Sequence, residues 1–100
     1  MNTSRYKNWW YNIVLGMINH YARATPNTRQ GKLIEKAMEQ AVKETAIKHG
    51  NYRDRLKAIE LLFFKGYSVP KVSMILSFSE RTIQRWKIDF VNLVGKNAGF

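Results

Sequence analysis

Apolar residues recur at three- and four-residue steps along most of the chain, and nowhere do they alternate with polar ones for long enough to make a strand. Tyr6, Trp9, Trp10, Ile13, Val14, Met17, Ile18 and Tyr21 predict an amphipathic helix over residues 4 to 23 with a wide apolar stripe. Thr25-Pro26-Asn27-Thr28 breaks it, because the residue before a proline is pushed out of the helical region, and Asn27 or Thr28 is placed to cap the next helix. This second helix, residues 28 to 48, is expected to bury Ile34, Ala37, Met38, Ala41 and Val42 and to pair Glu39 with Lys43 and Glu44 with Lys48 on its outer side. His49-Gly50 should close it with Gly50 in the left-handed conformation, and Asn51 should cap a third helix over residues 52 to 65, with Asp54 in its first turn. That helix buries Leu56, Ile59, Leu62 and Phe63 and stops at Gly66.

The spacing then changes character. Val72 and Leu76 lie on one side of a short helix, Phe78 falls in a tight turn, and Ile83, Trp86, Phe90 and Val94 form the inward stripe of a longer helix. Ser68 is placed to cap the first of these, where Pro70 is tolerated in the opening turn, and Ser79 caps the second. So short a connection between two capped helices is that of a helix-turn-helix. Ser73 stands where alanine is usual at the crossing, and Ser77 where glycine is usual in the turn. The expected architecture is all-α with about five helices: an N-terminal helical hairpin over residues 1 to 50 and a C-terminal trihelical unit over 51 to 100, packed as a single small domain.

With Ile83, Trp86, Phe90 and Val94 inward, Arg81, Gln84, Arg85, Ile88 and Asn92 fall on the opposite face. Arginine presents two parallel donors to guanine, glutamine pairs with adenine, and an exposed isoleucine lies against thymine methyls, so residues 80 to 92 are expected to enter a major groove. Ser79, which opens that helix, is expected among the DNA-binding residues, and Lys71 and Lys87 flank it as phosphate contacts that position without specifying. The bland alternative is an ordinary solvated face.

Charge bears on that choice. Seventeen Lys and Arg stand against seven Asp and Glu, a net charge of +10, which attracts polyanions and makes association salt-sensitive. Residues 1 to 30 carry Arg5, Lys7, Arg23 and Arg29 with no acid, so phosphate contacts are expected from both ends of the chain. Forty-five per cent apolar content suffices for a core. Without cysteine there is no disulfide, thiolate metal site or cysteine nucleophile, and no apolar run approaches the roughly 18 residues of a membrane span. A soluble protein of the bacterial cytoplasm, with no membrane association, is the expectation. His20 and His49 have no carboxylate at metal-ligand spacing, and Gly95-Lys96 lacks the upstream glycine and the hydroxyl residue of a phosphate loop. No enzyme activity, cofactor or metal is expected.

The segment from Lys57 to Trp86, KAIELLFFKGYSVPKVSMILSFSERTIQRW, resembles the helix-turn-helix of region four of bacterial primary sigma factors, and more closely the small phage late-transcription regulators of the ArpU and RinA type. The shared features are an apolar helix ending in KGYS, the apolar-small-apolar order of VSMIL, and SERTIQRW opening the second helix. The resemblance implies a sigma-like activator that recognises promoter DNA and contacts host RNA polymerase, with Arg81, Gln84 and Arg85 at the family's base- and backbone-contacting positions.

Two other classes stay open: a protein-interaction module on the same scaffold, and a phage small-terminase type of DNA-recognition subunit, which would form rings. Neighbours on a helix are about 100° apart, so either Trp10 or Tyr11 is expected at the edge of the first helix's stripe. The Trp9-Trp10-Tyr11 cluster then serves as core, as a dimer seam or polymerase-facing patch, or as a stacking platform for unpaired bases.

Overall fold

The computed structural model describes residues 8–22 and 28–100. The helix start at residue 4, Tyr6, the break at Thr25-Pro26-Asn27 and the cations Arg5, Lys7 and Arg23 lie outside the described residues. Within them the chain is all-α: α1 Tyr11–Tyr21, α2 Arg29–Lys48, α3 Tyr52–Ile59 running on through a π-helical turn at Glu60–Phe64, α4 Val69–Leu76 and α5 Glu80–Asn97.

Helix α5 is the axis of the molecule, with α2, α1, α3 and α4 all packed on it around one hydrophobic cluster. Ile83, Trp86, Phe90 and Val94 point into that cluster as the stripe requires, joined by Val91 and Gly95, which seat α1 and α2 on the C-terminal half of α5. Trp10 lies directly over Gly95: a Cβ there would stand 2.1 Å from the indole. Only glycine permits so close a crossing.

Trp10 and Tyr11 are both buried, and Trp9 is the exposed member of the cluster at 84%. The expectation that Trp10 or Tyr11 sits at a stripe edge fails because Trp10 is the N-cap residue, with φ −88° and ψ 1°, and is therefore off the helical lattice on which neighbours diverge. Ile13 and Val42, expected inside, are exposed at 48% and 37%. Burial pushes the Tyr11 phenol up to about 12. A raised folded value keeps its stabilisation intact below about pH 10, the unfolded value, and loses it as pH climbs through the folded one. Stability between pH 10 and 12 should therefore fall less steeply in Tyr11→Phe than in the wild type, by up to about 2 kcal/mol at the upper end. Urea unfolding at fixed pH steps measures this, and identical slopes would remove the claim.

Caps fall largely where serine and threonine announced them. Thr28 accepts from the Gly31 amide at 2.9 Å, Ser68 from Lys71 at 3.3 Å and Ser79 from Thr82 at 3.1 Å. Helix α2, by contrast, does not close on a left-handed Gly50. His49 turns extended (φ −124°, ψ 129°), and the described glycines with positive φ are Gly66 and Gly99. Nor does the Asn51 side chain cap α3, because its oxygen accepts from Arg55 Nε at 3.0 Å instead. Glu44 and Lys48 pair as expected at 4.0 Å.

The π-helical turn buries three consecutive residues, Leu61, Leu62 and Phe63, which a regular helix cannot do on one face. Its wide Lys65-to-Glu60 hydrogen bond (3.0 Å) ends the helix, and Gly66, at φ 73°, turns the chain into α4.

Candidate nucleic-acid interface

Residues 77–79 join α4 to α5, and their geometry answers the two departures seen in the sequence. Ser77 takes the left-handed conformation (φ 61°, ψ 37°) that glycine would take more easily, at a cost on the order of 1 kcal/mol. The Ser73 hydroxyl donates to the Phe78 carbonyl, and the Phe78 amide donates back to the Ser73 carbonyl at 3.3 Å, so one serine satisfies the turn that another strains. Phe78 meets Trp86 edge-to-face at 4.9 Å, fixing the turn against α5.

Ser79 caps α5 and also shares a hydrogen bond with the Thr82 hydroxyl at 2.9 Å, so its oxygen is already committed to the helix start. Arg81 and Arg85 stand exposed, one turn apart, with Gln84 half-buried between them. Among the described residues neither guanidinium is paired with a carboxylate. Lys71 is exposed in the first turn of α4, its ammonium 4.0 Å from the centre of the Tyr67 ring. Lys87 is half-buried and engaged within the fold.

The far end of the expected face is different. Ile88 is not exposed but half-buried against the core, and the Asn92 carboxamide accepts from Asn8 Nδ2 at 3.1 Å. The start of α1 reaches this part of α5, as the Asn8–Asn92 bond and the Trp10–Gly95 contact show. The free stretch is therefore the first two turns, carrying Arg81, Gln84 and Arg85, rather than residues 80 to 92.

One structural pair was missed by sequence reasoning. Arg55 of α3 binds Asp89 of α5 at 3.2 Å, with only 15% and 17% of the two side chains accessible, and its guanidinium carbon lies 5.6 Å from the centre of the Trp86 ring. The only available signal was Asp89, a lone acid beside Phe90 at the edge of an apolar stripe. The pair ties α3 to α5 and occupies a carboxylate that sits one turn from Arg85. His49, beside the same groups, has its imidazole held below the usual value by burial and then by the Arg55 charge, which outweigh the opposing influence of Asp89.

Among the described residues no helix is long and apolar enough to cross a membrane, and no group of three potential ligands could hold a metal ion. Residues 53–88, which span α3, α4 and the first half of α5, match the family described as "Putative ATPase subunit of terminase (gpP-like)". No curated protein and no solved structure matches the chain. The matched segment is the one that carries Arg81, Gln84 and Arg85.

Proposed function

We propose that this chain is a phage DNA-recognition protein that reads duplex DNA in the major groove through the first two turns of α5. The observation that carries the reading is the pair of exposed guanidiniums of Arg81 and Arg85, without a carboxylate partner among the described residues, on a capped helix whose other side is locked into the core. Gln84 supplies a second reading group, while Lys71 and the net charge of +10 supply phosphate attraction. The terminase match favours marking a genome for packaging as the process served. Because the matched residues are those of the helix-turn-helix, we read the likeness as concerning DNA recognition and not ATP hydrolysis.

A second reading, a late-transcription activator in the bacterial cytoplasm that contacts RNA polymerase, draws on the likeness of Lys57 to Trp86 to sigma-type motifs. The exposed Trp9 and Ile13 of the α1 region offer that reading a homodimer or polymerase contact. Mass in solution separates the two: a ring fits the packaging subunit, a monomer or dimer the regulator.

Selection of bound fragments from a random duplex pool at two salt concentrations tests the common core of both. A consensus supports a sequence reader, whereas sequence-indifferent, salt-labile binding supports an interaction module that merely tethers to nucleic acid. On the selected site Arg85→Ala should lose about 1 to 3 kcal/mol, and Lys71→Ala should mainly flatten the salt dependence. Equal losses for Arg85→Ala on selected and random duplexes, measured by fluorescence anisotropy, would remove its reading role.

A further inference from the structure

Helix α2 carries a second cationic face. Arg29, Lys32, Lys36 and Lys43 are all exposed, and at about 100° per residue their directions fall within roughly 60° of one another. Ile34, Ala37, Ala41 and Thr45 are buried on the nearly opposite side of the helix. From Arg29 to Lys43 the stripe runs about 21 Å, which is about six phosphates along one strand at roughly 3.4 Å each.

Nothing inside the chain accounts for this grouping. Among the described residues none of the four cations is paired with a carboxylate, and Lys43 does not meet Glu39 one turn away. Arg29 and Lys32 stand in the opening turn of a 20-residue helix, at the positive end of its dipole, and no acid in that turn offsets them. Lys32 and Lys36 are like charges one turn apart, which is also unfavourable. Glu35 and Glu39 border the stripe along one edge only. A row of phosphates lying on the stripe relieves all of these repulsions together.

The stripe also faces away from the readers. Phe90 lines one cavity with Met38 and Val42, and Asn97 lines another with Lys36 and Lys43, so α2 lies on the Phe90 and Asn97 side of α5. Along α5 those two residues point about 120° or more from both Arg81 and Arg85. The two cationic faces therefore look outward on opposite sides of the core. Duplex DNA stays straight over a few tens of ångströms, its persistence length being about 150 base pairs, so one segment does not lie on both faces.

We infer that the α2 stripe is a second DNA-backbone surface, so that one chain holds two duplex segments, one read by α5 and the other gripped by Arg29, Lys32, Lys36 and Lys43. The inference rests on the duplex reading proposed above for its first contact. The second contact is indifferent to sequence and labile to salt, because phosphate contacts position without specifying.

The test tethers a duplex carrying the selected site to beads and measures capture of a labelled plain duplex through the protein. It compares the wild type, Lys32→Gln/Lys36→Gln/Lys43→Gln, and a charge-matched control, Lys48→Gln/Lys57→Gln/Lys65→Gln, whose lysines are exposed but off the stripe. Glutamine matches lysine in helix propensity, so the substitutions leave the helices intact. Wild type and control should capture the plain duplex, and the stripe variant should capture at least about tenfold less while selecting the same consensus. Its salt slope on plain duplex should be lower than the wild type's by about 2.7, which is three contacts at about 0.9 each. Undiminished capture by the stripe variant, no capture by the wild type, or an equal loss in the control overturns the second surface. Any of these together with a selected consensus rejects the α2 surface alone. Selection without a consensus rejects the reading instead, and the salt slopes on plain duplex then decide the α2 surface, equal slopes in stripe variant and control rejecting it.

Discussion

Gly95→Ala is expected to destabilise the fold by about 3 kcal/mol, at the upper end of what overpacking a tight core produces. An added methyl would stand 2.1, 2.5 and 2.8 Å from three ring carbons of Trp10, and that ring is buried, rigid and backed by Phe100. Alanine's better helix propensity offsets only about 1 kcal/mol of the clash. Relief therefore requires α1 to move away from α5, which loosens Val91 and Val94 as well. Denaturant unfolding measures the loss. A second substitution, Trp10→Leu, should recover part of it by opening the space that the methyl needs, so the two changes should be strongly non-additive. A Gly95→Ala protein as stable as the wild type would show that the crossing is looser than described.

Arg55→Met should cost about 3 kcal/mol. The Asp89 carboxylate, 17% accessible, loses its ion pair at 3.2 Å, and the guanidinium that rests over Trp86 and donates to Asn51 is replaced by an uncharged chain of similar length. Removing one partner of a mostly buried pair is expensive because the other charge stays behind, and the partial exposure here places the figure at the lower end of the usual range. Asp89→Asn in the Arg55→Met background should restore most of the stability. The same variants should affect binding. Freed from Arg55, the Asp89 carboxylate is one helical turn from Arg85, where it competes with DNA for that guanidinium. Arg55→Met should therefore weaken duplex binding, and the double variant should regain it. A stability change below about 0.5 kcal/mol would make the pair an ordinary surface contact.

The parts of this fold legible in the sequence are those governed by local rules. Ser68, Ser79 and Thr28 are capping residues in front of apolar periodicity, and each cap is made. The stripe of Ile83, Trp86, Phe90 and Val94 belongs to one straight helix on one core, so the 3.6-residue repeat locates it without further information. The rest depended on contacts between segments distant in sequence. Ile88 and Asn92 look outward on a helical wheel, yet Ile88 packs against the core and Asn92 is bonded by Asn8 at the start of α1. Arg55 and Asp89 are 34 residues apart, and nothing at either position specifies the other. Trp10 escaped because the lattice argument assumed a helix already begun, whereas the residue stands at its threshold. That Arg81 and Arg85 lie on an outward face was legible by spacing, but the length of the free face was not.

The π-helical turn has one more implication. Leu61, Leu62 and Phe63 share a face because Glu60–Phe64 holds one residue more than a regular turn would. Deleting a single residue there would let the backbone relax to ordinary α-helical winding, and every atom beyond it would swing by about 100° about the helix axis. The direction in which Arg81 and Arg85 face out from the body of the molecule is thus set by a count of one. A kindred protein with a gap at this point would aim its α5 elsewhere, however similar its other residues.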